Sequence, residues 1–195
     1  MTIVLLARHG ESDWNRARRW QGHADRPLTD LGREQAAALA AQVEGYAIAA
    51  VYSSDLQRAH DTARAVAERH GIPHEVLPDL REVDVGSWSG LGRDEVEARF
   101  PDGAARWHAG ETGWDDGETY EAMAERVVAT VERIAAAHVD QTVLVVAHGG
   151  PLRAVHARAI GLELGDHRRT VPVEPNARLS AVEVEGGRFR LVELT

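Results

Sequence analysis

Apolar residues follow two rhythms along this 195-residue chain. Short strand-like runs occupy 3–7, 50–53, 75–77, 142–147, 179–184 and 189–194, the last two flanking the hairpin signal Gly186-Gly187. Between them apolar positions recur at helical spacing. Thr29-Asp30 offers an N-cap for a helix running towards Val43, and Ser54-Asp55 offers one for a helix ending near Gly71. In that second helix Leu56, Ala59, Ala63, Val66 and Ala67 share a face. Tyr120, Met123, Val127, Val131 and Ile134 form the stripe of a long helix, and Pro151 opens another that Gly161 stops.

Continuous apolar strands alternating with helices predict an α/β fold, a three-layer sandwich with a mainly parallel central sheet and helices on both faces. Such sheets bind ligands beyond the carboxyl ends of their strands. Two oily runs end there in the same way: "LLARHGE" stops at Arg8-His9-Gly10 and "LVVAHGG" at His148-Gly149. The length fits a single domain spanning 1–195. Segment 99–119, rich in Gly, Asp and Trp, reads as a short lid-like excursion.

Composition narrows the function. Acidic residues outnumber basic ones, 31 to 22, for a net charge of −9. This argues against nucleic acid or an anionic membrane surface as partner, since both are bound through phosphate neutralisation. It leaves room for a small anion in a local positive pocket. No run approaches the ~20 apolar residues of a membrane span. Residues 1–7 are too short a run, too soon followed by charge, to read as a signal peptide. Cysteine is absent, which removes disulfides and thiolate chemistry, and the default location is cytoplasmic.

Several residues are placed for chemistry. Beside His9, Arg8 supplies charge and Gly10 permits close backbone approach, which together suit an anion. Arg58 falls in the first turn of its helix, where it opposes the dipole unless it meets an anion or pairs with Asp55 or Asp61. His148 runs into Gly-Gly-Pro, a helix start whose N–H groups can cradle phosphate. Glu82 in "LREVDVGSW" is a candidate general acid, with Asp84 as rival. A carboxyl pressed against Val83, Val85 and Trp88 would favour its neutral form. Neither a P-loop nor a G-x-G-x-x-G motif occurs, so no nucleotide cofactor is expected. H-E-x-x-H is also absent, and no metal is expected.

Arg8-His9-Gly10-Glu11-Ser12 with Asn15 resembles the signature of the histidine phosphatase superfamily, which includes cofactor-dependent phosphoglycerate mutases. "QGHADRPLTDLGREQA" (21–36), "YSSDLQRAHDTARAVA" (52–67), "LREVDVGSWSG" (80–90) and "VVAHGGPLRAV" (145–155) continue the likeness in order over nearly the whole chain. The resemblance implies that His9 attacks phosphorus to form a phosphohistidine. Arg8, Arg58 and His148 would hold the phosphoryl oxygens and offset their charge. Asn15 and the Gly149 N–H would add hydrogen bonds, Gln21 and Gly22 would line the substrate side, and Glu82 would act as acid and then base. No cofactor is implied.

Three functions fit these residues. The favoured one is a metal-independent phosphomonoesterase acting on a small phosphorylated metabolite. In mutases of the family the acid glutamate precedes Arg-His-Tyr-Gly and a longer insertion with paired arginines. Here Val83-Asp84-Val85-Gly86 follows Glu82 and the excursion is short. A non-catalytic phospho-ligand binder would be expected to have lost one of these side chains. Trp107 and Trp114 are expected as pocket walls. Asp115, Asp116 and Glu118 are expected to be solvated, and Arg168-Arg169 to lie on the surface. A homodimer is the default assembly.

Overall fold

In the computed structural model, residues 1–163 and 170–194 are described; Arg168-Arg169 lie outside them. Six strands form one sheet: β1 (Thr2–Arg8), β2 (Ile48–Ser53), β3 (His74–Val76), β4 (Thr142–Ala147), β5 (Leu179–Glu185) and β6 (Arg188–Val192), in the order β3-β2-β4-β1-β5-β6. β3, β2, β4 and β1 run parallel, while β5 runs antiparallel to both β1 and β6. The sheet is thus mainly parallel, with an antiparallel edge built from the hairpin at Gly186-Gly187.

Alternation along β1 feeds two cores. Leu5 and Ala7 join the cluster under α2 (Asp30–Gln42) and α3 (Gln57–His70), where Leu39, Ala59, Ala63 and Val66 are buried. Val4 and Leu6 face the opposite cluster under α6 (Tyr120–Ala137) and α7 (Gly149–Ala159), with Met123, Val127, Val131, Leu152 and Val155. Central strands buried on both faces explain why "IVLLA" and "VLVVA" lack polar alternation.

Helix starts differ in detail from expectation. Thr29 caps α2, its hydroxyl accepting from the Gly32 N–H at 3.0 Å. α3 begins at Gln57 rather than at Asp55: Ser54 Oγ takes the Leu56 N–H at 3.1 Å, and Asp55 turns away to pair with Arg81 at 2.5 Å. Further α-helices among the described residues are α1 (Asp13–Arg16), α4 (Arg93–Arg99) and α5 (Pro101–His108). Segment 99–119 therefore contains a helix, opened by Pro101. It is anchored by aromatic packing: Trp20 meets Trp88 at 5.3 Å, Trp107 at 5.2 Å and Trp114 at 6.2 Å.

Candidate active site

β1 and β4 are in register, Arg8 opposite Ala147, so the next residues, His9 and His148, emerge side by side at the carboxyl edge of the sheet. The His9 N–H donates to the Ala147 carbonyl at 3.0 Å, and the two rings sit 5.1 Å apart, inclined by 60°. Gly10 is required for the turn that follows, since a Cβ there would collide with the Gly32 carbonyl of α2. Its N–H is held by Thr62 Oγ1 at 3.0 Å.

His9 Nδ1 lies 2.7 Å from the Gly10 carbonyl, to which only a protonated nitrogen can donate. The proton is therefore on Nδ1 and the lone pair on Nε2. Burial, with Arg58 and Arg8 adding to it, holds His9 well below the usual imidazole range and so keeps it neutral. A neutral imidazole with an unencumbered nitrogen is a nucleophile.

His148 has the complementary arrangement. Arg58 Nε donates to its Nδ1 at 3.2 Å, which puts the proton on Nε2, and that buried nitrogen has no hydrogen-bond partner among the described residues. Burial, then Arg58 and His9, also hold this ring neutral. It offers an N–H rather than the positive charge expected from the sequence. An orphaned buried donor beside a nucleophile suits an anionic oxygen.

Arg58 is the second residue of α3 and is buried. Neither Asp55 nor Asp61 pairs with it. Besides His148 it holds the carbonyls of Ala24 at 2.8 Å and Gly22 at 2.9 Å, which fixes the Gln21-Gly22 loop. Burial lowers its pKa to about 10, against the opposing pull of Glu82 and Asp25, so it remains charged at neutral pH. Burial also lowers Arg8, whose Nη1 donates to the Glu174 carbonyl at 2.8 Å and whose Nε is buried without a partner. Two desolvated guanidiniums facing one carboxylate, Glu82, form an anion site.

Glu82 sits in a different setting from the one expected. Trp88 is packed into the core against Trp20 and Trp114 and does not line the cleft, which Glu82 shares with Val83 and Val85. The Gly150 N–H, in the first turn of α7, lies 3.2 Å from both carboxylate oxygens, and the Val83 N–H donates at 2.9 Å. A Cβ on Gly150 would overlap Glu82 Oε1, so the glycine makes room for the acid.

Arg8, His9, Asn15, Gln21, Gly22, Arg58, Glu82 and Gly149 line one cleft of about 440 Å³; His148 is buried next to His9 and is not among the lining residues. Asn15 Oδ1 accepts the Ser12 N–H at 3.0 Å, while the Ser12 hydroxyl, 3.0 Å from the same oxygen, lies closer to Gln21 Oε1 at 2.7 Å. Trp107 lines the cleft, but Trp114 is buried beneath it and is not a wall. Glu118 is not solvated: its carboxylate takes Arg126 Nε and Nη2, at 2.7 Å each. Asp84 accepts the Gly86 N–H at 3.0 Å, which leaves Glu82 as the carboxylate lining the cleft.

Three supporting residues were not singled out as site residues in the sequence. Arg126 on α6 donates to the carbonyls of Asp79, Arg81 and Glu82 at 2.8–2.9 Å and so clamps the loop that carries the acid. Asn176 Nδ2 donates to the His9 carbonyl at 2.8 Å. His23 Nε2 lies 2.9 Å from the Glu82 carbonyl.

An α/β sheet whose adjacent strand ends carry Arg8, His9 and His148, with Arg58 brought to them from the first turn of α3, suits an enzyme that handles phosphoryl groups through side chains. Comparison with known proteins gives the family. Residues 4–195 match the histidine phosphatase superfamily (branch 1), and the chain belongs to that superfamily. Glucosyl-3-phosphoglycerate phosphatase of Mycolicibacterium vanbaalenii is 37% identical over 167 residues, covering 82% of this chain and 74% of that one. Phosphoserine phosphatase 1 of Hydrogenobacter thermophilus is 34% identical over 168 residues, 84% of this chain and 79% of that one. Among solved structures, Bacillus stearothermophilus YhfR superposes with a TM-score of 0.89 at 32% identity, covering 98% of this chain and 95% of that one. A mycobacterial glucosyl-3-phosphoglycerate phosphatase in complex with VO3 superposes at 0.87 and 30% identity, covering 98% of both. The expected family, the fold and a phosphatase-class enzymatic function all stand. No helix among the described residues is long and apolar enough to cross a membrane.

Proposed function

We propose that the chain hydrolyses a small phosphate monoester through a phosphohistidine on His9. The observation that carries this reading is the pairing of nitrogens: His9 Nε2 bears a lone pair, and the neighbouring His148 Nε2 is a buried, unpartnered N–H. In the first step His9 Nε2 attacks phosphorus, the P–O ester bond breaks, and Glu82 protonates the departing alcohol oxygen. In the second step water attacks phosphorus, Glu82 takes its proton, and the P–N bond breaks to restore His9 and release phosphate.

Arg8 and Arg58 would neutralise the phosphoryl oxygens, joined by N–H donors from His148, Asn15 and Gly149. A divalent cation has no role in this scheme, because two guanidiniums already hold the position where it would sit and would repel it. Gln21 and Gly22 would border the alcohol. That a mycobacterial phosphatase of the same fold, 30% identical, is solved in complex with VO3 supports an oxyanion ligand for this reading. Segment 99–119 would cover the alcohol side, with Trp107 facing it. The reading places the protein in the cytoplasm as a single-domain subunit of a homodimer.

Turnover of 4-nitrophenyl phosphate in the presence of EDTA is the direct test. Nitrophenolate release that persists after chelation supports the scheme. Release that stops, and returns only with added divalent metal, contradicts it.

A further inference from the structure

Two successive peptide units follow the His9 side chain, and different side chains hold each. The His9–Gly10 unit is fastened at both ends: Asn176 Nδ2 donates to its carbonyl at 2.8 Å, and its N–H donates to Thr62 Oγ1 at 3.0 Å. Thr62 is fully buried, and its hydroxyl donates in turn to the Arg58 carbonyl at 2.7 Å. The next unit, Gly10–Glu11, carries the carbonyl that accepts the His9 Nδ1 proton. Its N–H donates to Gln35 Oε1 at 2.7 Å. A backbone N–H can only donate, so the amide oxygen of Gln35 is the atom that faces it.

Gln35 reaches this peptide from one face of α2. Thr29, Gly32 and Gln35 are spaced three apart, so they lie on the same side of the helix start. The Thr29 N–H donates to the Glu11 carbonyl at 2.9 Å, and a Cβ on Gly32 would collide with that carbonyl. The missing side chains at Gly10 and Gly32 therefore let α2 close on the turn. They also leave Gly10 with the widest backbone freedom of any residue type. Rotation about Gly10 would swing its carbonyl away from Nδ1, and either ring nitrogen could then carry the proton. The Gln35 acceptor opposes that rotation. It also polarises the peptide, since an N–H already bonded makes its carbonyl a stronger acceptor.

We propose that Gln35 is a positioning residue for His9, acting through the Gly10–Glu11 peptide to keep the imidazole proton on Nδ1 and the lone pair on Nε2. The inference rests on the phosphatase reading for what that lone pair attacks. The tautomer itself does not depend on it. Phosphorylation of Nε2 leaves the ring cationic with its proton on Nδ1, so the chain of acceptors behind that proton is worth most in the phosphoenzyme.

Two variants test this: Gln35→Met, which keeps the side-chain length and loses the acceptor, and Gln35→Glu, which keeps an oxygen in its place. In protein labelled with ¹⁵N-histidine, the His9 ring signals are those missing from His9→Ala, and they are read at neutral pH. Wild type and Gln35→Glu should show a protonated Nδ1 beside an unprotonated Nε2. In Gln35→Met the two nitrogen shifts should draw together as the tautomers mix. Its kcat for 4-nitrophenyl phosphate should fall about tenfold or more with KM little changed. A merely structural role would lower stability without moving the proton. A Gln35→Met protein that keeps the wild-type tautomer overturns the proposal, as does a Gln35→Glu protein whose tautomers mix. A tautomer shift in Gln35→Met, alongside a wild-type protein without turnover, would keep the positioning role and remove the hydrolytic one.

Discussion

His9 and His148 stand 5.1 Å apart at the ends of adjacent parallel strands, and their ring protons are set to opposite nitrogens. The Gly10 carbonyl fixes a proton on Nδ1 of His9, while Arg58 Nε, donating to Nδ1 of His148, forces that ring's proton to Nε2. One ring thereby presents a lone pair and the other an N–H. A single motif, an apolar strand ending in His-Gly, yields two roles because the partner of each Nδ1 differs.

Both rings are held neutral by burial, and this sets a pH dependence. Their folded pKa values lie below the unfolded value of about 6.5. As pH falls below that value the unfolded chain binds protons that the folded chain refuses, so stability is full above it and declines towards the folded values. The decline is at most about 1.4 kcal/mol per pH unit for each histidine. Thermal unfolding measured from pH 7.5 to 5 should show a falling midpoint. Activity obeys the same shift: kcat/KM should keep its acid limb well below pH 6.5. An apparent pKa at or above 6.5 for that limb, belonging to His9, would count against the neutral nucleophile.

Removing the buried donor should slow the chemistry more than it weakens binding. His148→Ala is expected to lose about 10²–10³ in kcat, the range for one donor to a transition-state oxygen. Steady-state kinetics check this, and a variant within threefold of wild type would show that the orphaned Nε2 serves no phosphoryl oxygen.

Glu82→Gln keeps the two N–H contacts but cannot exchange a proton. With an alkyl phosphate the loss in kcat should be about 10²–10⁴. With 4-nitrophenyl phosphate, whose leaving group needs little protonation, rapid-mixing traces should show a burst of nitrophenolate followed by slow turnover, because the phosphoenzyme still lacks its base. Equal losses on both esters with no burst would remove Glu82 from proton transfer.

Arg126 acts through Glu82. Its guanidinium holds three carbonyls of the acid-bearing loop and the carboxylate of Glu118. Lysine cannot span these acceptors, so Arg126→Lys should lower kcat by about 10²-fold, as small displacements of a reacting group do. The loss should be larger for alkyl than for nitrophenyl esters. A uniform loss across esters would indicate a general structural defect instead.

The site was legible in the sequence where a local pattern carries it. β1 and β4 end where their apolar runs meet Arg8-His9 and His148, and parallel register does the rest. Arg58 lies in the first turn of its helix as read, although that helix starts later because Asp55 is drawn to Arg81. What local pattern cannot carry is a contact between distant segments. Arg126–Glu82 and Asn176–His9 join residues far apart in the sequence, and no local pattern names the partner. Trp114 and Trp107 looked alike in one polar segment. Packing against Trp88 buries the first, and the second remains at the cleft.

The central claim is a covalent bond between phosphorus and His9. Enzyme mixed with a ³²P-labelled phosphate monoester, quenched within the first turnover and kept alkaline for peptide mapping, should carry acid-labile label on the peptide containing His9. The His9→Ala protein should carry none and show no turnover. Wild-type turnover by that variant, or label found on His148 instead, would contradict the account.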